Sequence, residues 1–462
     1  MKLILAILFG ACLPALASAQ LTEGALDPTF GTGGRTTIPF DLGNSKADHA
    51  YGSVLQPDGK LIIVGTATNA NGNEDFAITR LLPNGTPDPG FGTNGKVTRG
   101  FDLGGANNDV AAAVTLESDG NIIVIGTVDY PNPDQYAQQL LALHADGSFL
   151  ASSVPIAQTR GNDVRILPDG KIVSVGQTVS GGFSVNEFSS NLSSNPSSQT
   201  YSLLPVGGAS AEAASIALRP DGTITVAGGF SPIDPNTRGS CFVAQLHTDL
   251  SLDTNFGMNN SGISTFRFNL GSEFHDDACF SHAIQKDGKI VVVGGARASS
   301  MENTEVAAVM RLLADGSSPD PLFAGGGWGF ENAGTGCLDD EPRAVKLQSD
   351  GKIVIAGYGC VFDPSRAPND FGITRLNTNG TFDDTFIGNT PGSNAYGVMV
   401  GFETYNGNST GEDDQAYTLA IDSADRIYAV GQAQFNGGDT NMAVARLYSD
   451  KIFVNTFESR QQ

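Results

Sequence analysis

The sequence predicts an all-β fold: a seven-bladed β-propeller of four-stranded antiparallel blades, closed by an N-terminal strand that completes the last blade. Three observations predict it. A short apolar run ending in glycine recurs seven times, tight-turn residues precede most of these runs, and the chain opens with the part of a repeat that its end lacks.

The runs are Lys60–Gly65, Asn121–Gly126, Lys171–Gly176, Thr223–Gly228, Lys289–Gly294, Lys352–Gly357 and Arg426–Gly431, and their closing glycines lie 61, 50, 52, 66, 63 and 74 residues apart. Five or six β-branched and apolar residues in a row are the pattern of a buried strand. Turns such as Pro57-Asp58-Gly59, Ser118-Asp119-Gly120, Pro168-Asp169-Gly170 and Pro220-Asp221-Gly222 precede them. Proline presets such a turn and glycine accepts positive φ, so the segment before each run folds back as a hairpin. A third strand follows, as in Asp75–Leu81 and Asp370–Leu376, then Leu-Asp-Pro-Thr-Phe-Gly-like segments at Leu26–Gly31, Pro87–Gly92, Leu252–Gly257, Pro319–Ala324 and Phe382–Ile387. A fourth strand such as Lys96-Val97-Thr98 closes the unit. Four antiparallel strands per repeat make a propeller blade, whereas the coils of a parallel β-helix are far shorter. The last repeat stops near Phe457 without a fourth strand, and Arg35–Phe40 near the N-terminus supplies a spare one. Pairing the two closes the ring and leaves only short edges.

Together, D-G-K-I-x-V-x-G, D-F-x-x-x-R-L and L-D-x-x-F-G resemble the delta-60 repeat family of bacterial β-propellers over Leu26 to Phe457. The resemblance implies the fold and brings no catalytic residues. Asn186-Glu187-Phe188 and Gln245-Leu246-His247 replace the Arg-Leu element in the third and fourth repeats.

Residues 1–19 read as a signal peptide: Lys2, the apolar run Leu3–Leu8, then Ala17-Ser18-Ala19 before Gln20. Cleavage after Ala19 would release residues 20–462 as a single propeller domain, secreted or periplasmic. Cys12 follows a loose lipoprotein-like box, but Phe9 in its first position argues against anchoring there. No later stretch is apolar enough to span a bilayer as a helix. Forty-nine acidic against 26 basic residues give a net charge of −23, which argues against nucleic acid and anionic membranes as partners. A monomer is expected.

Counting back seventeen residues from each closing glycine gives Asp48, Asp109, Thr159, Ala211, Asp277, Asp340 and Asp414. The five aspartates start the innermost strands, so they are candidates for a carboxylate ring at the channel mouth, with calcium the expected ion. The competing reading is that each accepts hydrogen bonds from a neighbouring turn. Arg80, Arg311, Arg375 and Arg446 share one repeat position and read as structural donors. Phe30, Phe91, Phe256, Phe323, Phe386 and Phe457 read as packing between blades. Gly407–Gly411 matches a G-x-S-x-G pattern by accident, because it lies in a loop with no strand and helix about it. Four cysteines remain after cleavage, an even number for an oxidising compartment. Cys337–Cys360 and Cys241–Cys279 are the expected disulfides.

No catalytic constellation emerges. The expected function is a secreted binding or scaffold propeller, presenting variable acidic loops to a protein or glycan ligand on one face. The alternative is a cation-dependent lactonase-like or lyase-like enzyme using those carboxylates.

Overall fold

The computed structural model describes residues 22–43, 47–131, 136–203, 208–232, 239–268, 277–297, 305–324, 341–360, 369–388, 397–402, 413–435 and 438–449. The first strand, β1 (Arg35–Ile38), stands apart from the blade that follows it in sequence. The first blade is β2 (Asp48–Leu55), β3 (Leu61–Thr68), β4 (Glu74–Leu81) and β5 (Lys96–Arg99). The second is β6 (Asp109–Leu116), β7 (Ile122–Asp129) and β8 (Tyr136–Leu143), edged by β9 (Phe149–Ser152) and β10 (Ile156–Ala157). The third is β11 (Asp163–Ile166), β12 (Ile172–Gln177), β13 (Phe183–Phe188) and β14 (Ser197–Tyr201). The fourth is β15 (Gly208–Leu218), β16 (Ile224–Pro232), β17 (Ser240–Leu246) and β18 (Ile263–Phe266). The fifth shows β19 (Ala278–Ile284), β20 (Ile290–Arg297) and β21 (Glu305–Leu312); the chain after Ala324, where its outer strand is expected, lies outside the described residues. The sixth is β22 (Glu341–Leu347), β23 (Ile353–Cys360), β24 (Asn369–Leu376) and β25 (Val398–Val400). The seventh is β26 (Gln415–Ile421), β27 (Ile427–Phe435) and β28 (Asp439–Leu447), completed by β1.

Closure is antiparallel, with Arg35 opposite Ala445 and Ile38 opposite Met442. The first strands of successive blades touch one another around the ring, and β2 meets both β6 and β26. The run leading to the closing glycine in each second strand is mostly apolar because both of its faces are covered. In β3, Leu61 and Ile63 pack toward the seventh blade, whereas Ile62 and Val64 pack toward the second. Among the described residues seven apolar clusters result, one at each blade–blade interface. The second blade departs from the four-strand expectation, since its outer strand is broken in two around Pro155, which cannot donate to a ladder.

The closing glycine has a steric cause that the sequence pattern does not reveal. A Cβ on Gly65 would lie 1.8 Å from the carbonyl oxygen of His49, and one on Gly294 1.8 Å from that of Ala278. The carbonyl comes this close because the first strand bulges beside it. The β2–β3 register skips a residue between Ala50 and Gly52, and β6, β15, β19, β22 and β26 carry the same one-residue bulge.

Candidate functional site

Two ends of the ring differ. At one lie the hairpin turns and the D-x-x-F segments; at the other lie the starts of first and third strands and the ends of second and fourth strands. The register places Asp48 opposite Ala67 and Ala67 opposite Asp75, with Arg99 beside Phe76. The long connections therefore share this second end, here called the loop face.

The turn end is built from one repeated constellation. Arg80 donates to Asp88 at 2.9 Å and stacks 4.7 Å over Phe91. Arg311 repeats this with Asp320 at 2.9 Å and Phe323 at 4.6 Å, Arg375 with Asp383 at 2.7 Å and Phe386 at 4.7 Å. Arg446 pairs with Asp27 at 2.7 Å and stacks 4.7 Å over Phe30. Three sets also staple one blade to the next, since Arg311 donates to the Thr378 carbonyl at 2.6 Å and Arg80 and Arg446 donate to the carbonyls of Ala145 and Pro83, while Arg375 pairs with Glu23 of the N-terminal segment. Burial by itself would raise the pKa of Asp88, but the Gly90 N–H, Lys60 and Arg80 outweigh it and hold the carboxyl below its usual range. Asp320 is lowered in the same way, against burial, by the Leu322 N–H, Lys289 and Arg311. In the fourth blade Gln245 takes the arginine position, keeps the bond to Asp253 at 2.9 Å, and Arg219 reaches the Ala314 carbonyl at 3.1 Å instead. These groups are structural.

At the loop face, four of the five sequence-selected aspartates are described, and all four are buried. Each turns Oδ2 to a backbone N–H on the incoming connection. Asp48 accepts from Phe40 at 2.5 Å, Asp109 from Phe101 at 2.6 Å, Asp277 from Phe268 at 2.8 Å and Asp414 from Phe402 at 2.8 Å. The donor is a phenylalanine every time. Burial raises Asp48 to about 6 against the opposing N–H bonds, and raises Asp109 to about 7 with help from Asp75 and Asp102. Asp340 lies outside the described residues. Among the described residues no three His, Cys, Asp or Glu side chains gather in a way that could hold a metal.

Cys241 and Cys279 form a disulfide with Cα atoms 5.5 Å apart, tying the third strand of the fourth blade to the first strand of the fifth. Cys337, Trp328, the Gly407–Gly411 loop and Phe457 lie outside the described residues, as does the side chain of Cys360. Beside Cys279 in sequence, His282 is buried between the hydroxyls of Ser215 (2.6 Å) and Thr225 (2.9 Å). Burial lowers His282 to about 3, so its ring is neutral.

The feature that sequence reasoning missed is the bulge. Its extra residue is Tyr51, Ala112, Ala214, Phe280, Arg343 or Tyr417, and Asn162 holds the same place ahead of β11. A bulge re-aims the side chain that it carries. All but Ala112 line one cavity of ≈ 700 Å³ at the loop face, together with Gln177, Glu212, Phe230 and the disulfide's Cys279. Tyr51 and Tyr417 meet edge to face at 5.3 Å. The Arg343 guanidinium sits 4.6 Å over Phe280 and 5.6 Å over both Tyr358 and Tyr417, and pairs with Glu341 at 2.8 Å. Burial raises both Tyr51 and Tyr417, so their phenols stay protonated and able to donate. Counting back fourteen residues from the closing glycines, rather than seventeen, would have found this ring.

Among solved structures, an α-L-arabinanase of Penicillium chrysogenum complexed with arabinobiose is similar at 11% identity, covering 78% of this chain and 98% of that one, with a TM-score of 0.44. A GH93 α-L-arabinofuranosidase of Fusarium graminearum is 10% identical over 89% and 97% of the two chains, with a TM-score of 0.42. A Bacteroides caccae protein of unknown function is 12% identical over 72% and 96%, with a TM-score of 0.38. These likenesses are too low to carry an argument. No curated protein matches the chain. Four segments, 56–91, 219–256, 285–323 and 348–386, match the family described as a domain of unknown function (DUF5122) beta-propeller, and each runs from the hairpin turn to the recurring phenylalanine, which an arginine covers at Phe91, Phe323 and Phe386.

Proposed function

We propose that this protein is an exported, non-catalytic binding propeller whose loop face receives the ligand. One observation carries the reading: a backbone distortion repeated in six blades carries side chains that vary around the ring, and five of these six residues, joined by Asn162 at the same place in the third blade, converge on a single cavity. Repeated geometry with varied chemistry is what a scaffold that displays a site requires. Export through the segment ending at Ala19 agrees with the Cys241–Cys279 disulfide, which an oxidising compartment favours. No helix of the described residues is long and apolar enough to cross a membrane. The carboxylates at the starts of the inner strands act as caps for the incoming connections in this reading, and calcium, if taken up, would be held by them at the expense of those N–H bonds.

The tagged mature chain, incubated with protein and glycan microarrays, is expected to show a saturable ligand that it returns chemically unchanged. Turnover of the bound ligand, or a stoichiometric calcium ion by calorimetry whose chelation lowers the melting temperature, would favour the cation-dependent enzyme instead.

A further inference from the structure

The cavity at the loop face has two unlike walls. The fifth, sixth, seventh and first blades contribute Phe280, Arg343, Tyr417 and Tyr51, an arc of flat side chains held by edge contacts and by stacking on the guanidinium. Across the opening, the third and fourth blades contribute Asn162, Gln177 and Glu212, which are amide and carboxylate groups. Asn162 Nδ2 donates to Glu212 Oε1 at 2.9 Å, so the amide orients the carboxylate, and Glu212 is itself exposed.

We propose that this cavity is a carbohydrate site. The aromatic arc stacks on the C–H face of a neutral sugar ring, while Asn162, Gln177 and Glu212 accept and donate to its hydroxyls. The proposal rests on the binding reading above and gives it a ligand class. A sugar ring has one apolar face and a rim of hydroxyls, which is the division that these walls present. A wholly apolar ligand would cover the amides and the carboxylate and leave their remaining hydrogen-bonding capacity unmet, at a cost. An anionic ligand finds no uncommitted cation, because Arg343 is already paired with Glu341 at 2.8 Å, and it meets both Glu212 and a net charge of −23. The volume of ≈ 700 Å³ lies in the range of roughly 300–1,000 Å³ usual for ligand pockets. Tyrosines locked against one another lose little freedom on binding, which favours a weakly interacting neutral ligand.

The test uses the full mature chain and a printed array of neutral and acidic oligosaccharides, with every hit titrated in solution by calorimetry. Neutral sugars are expected to bind. Tyr51→Ala and Tyr417→Ala should each weaken binding by about tenfold through loss of a stacking face. Glu212→Gln, at an exposed position where folding is not at stake, should weaken it comparably, and Lys171→Ala at the turn end should leave it unchanged. Melting temperatures measured in parallel separate lost binding from lost folding. A sugar that binds the Tyr51→Ala, Tyr417→Ala and Glu212→Gln variants as tightly as the parent overturns the site while leaving a binding propeller. A parent protein that binds only acidic glycans, or only proteins, overturns the ligand class. Silence on every array overturns the binding reading itself.

Discussion

The two ends of the ring repeat different things. At the turn end the same three side chains recur in the same geometry: Arg311 on Phe323 with Asp320 repeats Arg80 on Phe91 with Asp88 within 0.1 Å of stacking distance. At the loop face the backbone recurs while the side chain varies, since the bulge carries tyrosine at 51 and 417, alanine at 112 and 214, Phe280 or Arg343. A constellation copied into four blades serves the blades. A position whose geometry is copied while its chemistry varies is free to serve a ligand, and the four family matches take in the second and third strands and the D-x-x-F segment but leave out the first strand with its bulge.

The strongest way to break this contrast is Arg311→Ala. It leaves Asp320 buried with only Lys289 and the Leu322 N–H to offset its charge and empties the face of Phe323. Removing one partner of a buried pair costs about 3–5 kcal/mol, so urea unfolding should show a loss of that order. If Arg311→Ala costs no more than a surface change, the turn end is not a staple. Gly294→Ala comes next: its methyl would strike the Ala278 carbonyl, and forced overpacking of this kind costs about 1–3 kcal/mol. An unchanged urea midpoint would show that the bulge relaxes freely, and the loop face would lose its fixed frame.

Acid and base should act on opposite ends. Asp88 and Asp320 are lowered, so the stability they contribute is complete above the ordinary carboxylate range and is lost as pH falls below it. Asp48 and Asp109 are raised to about 6 and about 7, so their contribution is complete below the ordinary carboxylate range and is lost as pH rises through those values. Asp109→Asn should accordingly flatten the decline between about pH 4 and 7 in a series of thermal melts, whereas Asp320→Asn should flatten the acid limb. Identical profiles for the two variants would remove the distinction. The smallest effect is expected from Arg343→Ala, under about 1 kcal/mol in urea unfolding, because its side chain is half-buried at an open cavity.

The propeller was legible because its signals are local: an apolar run, a turn and a glycine, seven times over. The spare strand at Arg35 was legible because it precedes the first complete repeat, and it pairs with β28. The break in the second blade's outer strand is visible at Pro155 only once the strand is known to lie at an edge. Asp48 and Asp109 open their inner strands and Asp277 and Asp414 stand one residue ahead of theirs, yet their partners, backbone N–H groups of Phe40, Phe101, Phe268 and Phe402, come from the preceding connection. The cavity was illegible for a physical reason. A bulge changes register without changing the residue types on either side, so Tyr51 and Arg343 look like any alternating strand residue until the ring is closed.

Closure also sets a timetable. Arg35 must wait for Ala445, and a loop of about 410 residues costs roughly 5 kcal/mol in chain entropy to join, apart from a constant term. As the ribosome or an export channel releases the chain, the six blades after β1 can form one by one, but the seventh has no outer strand until its own three strands meet the waiting N-terminal arm. Until then Leu26, Phe30 and Ile38, all buried in the finished ring, lack the seventh-blade side of their clusters, which Leu447 completes for Leu26 and Tyr428, Met442 and Val444 for the other two. A chain cut short anywhere before β28 therefore displays an unpaired strand and three apolar side chains to any protease or chaperone nearby. The clasp thus works as a proofreader of length: only a complete chain can conceal its own beginning.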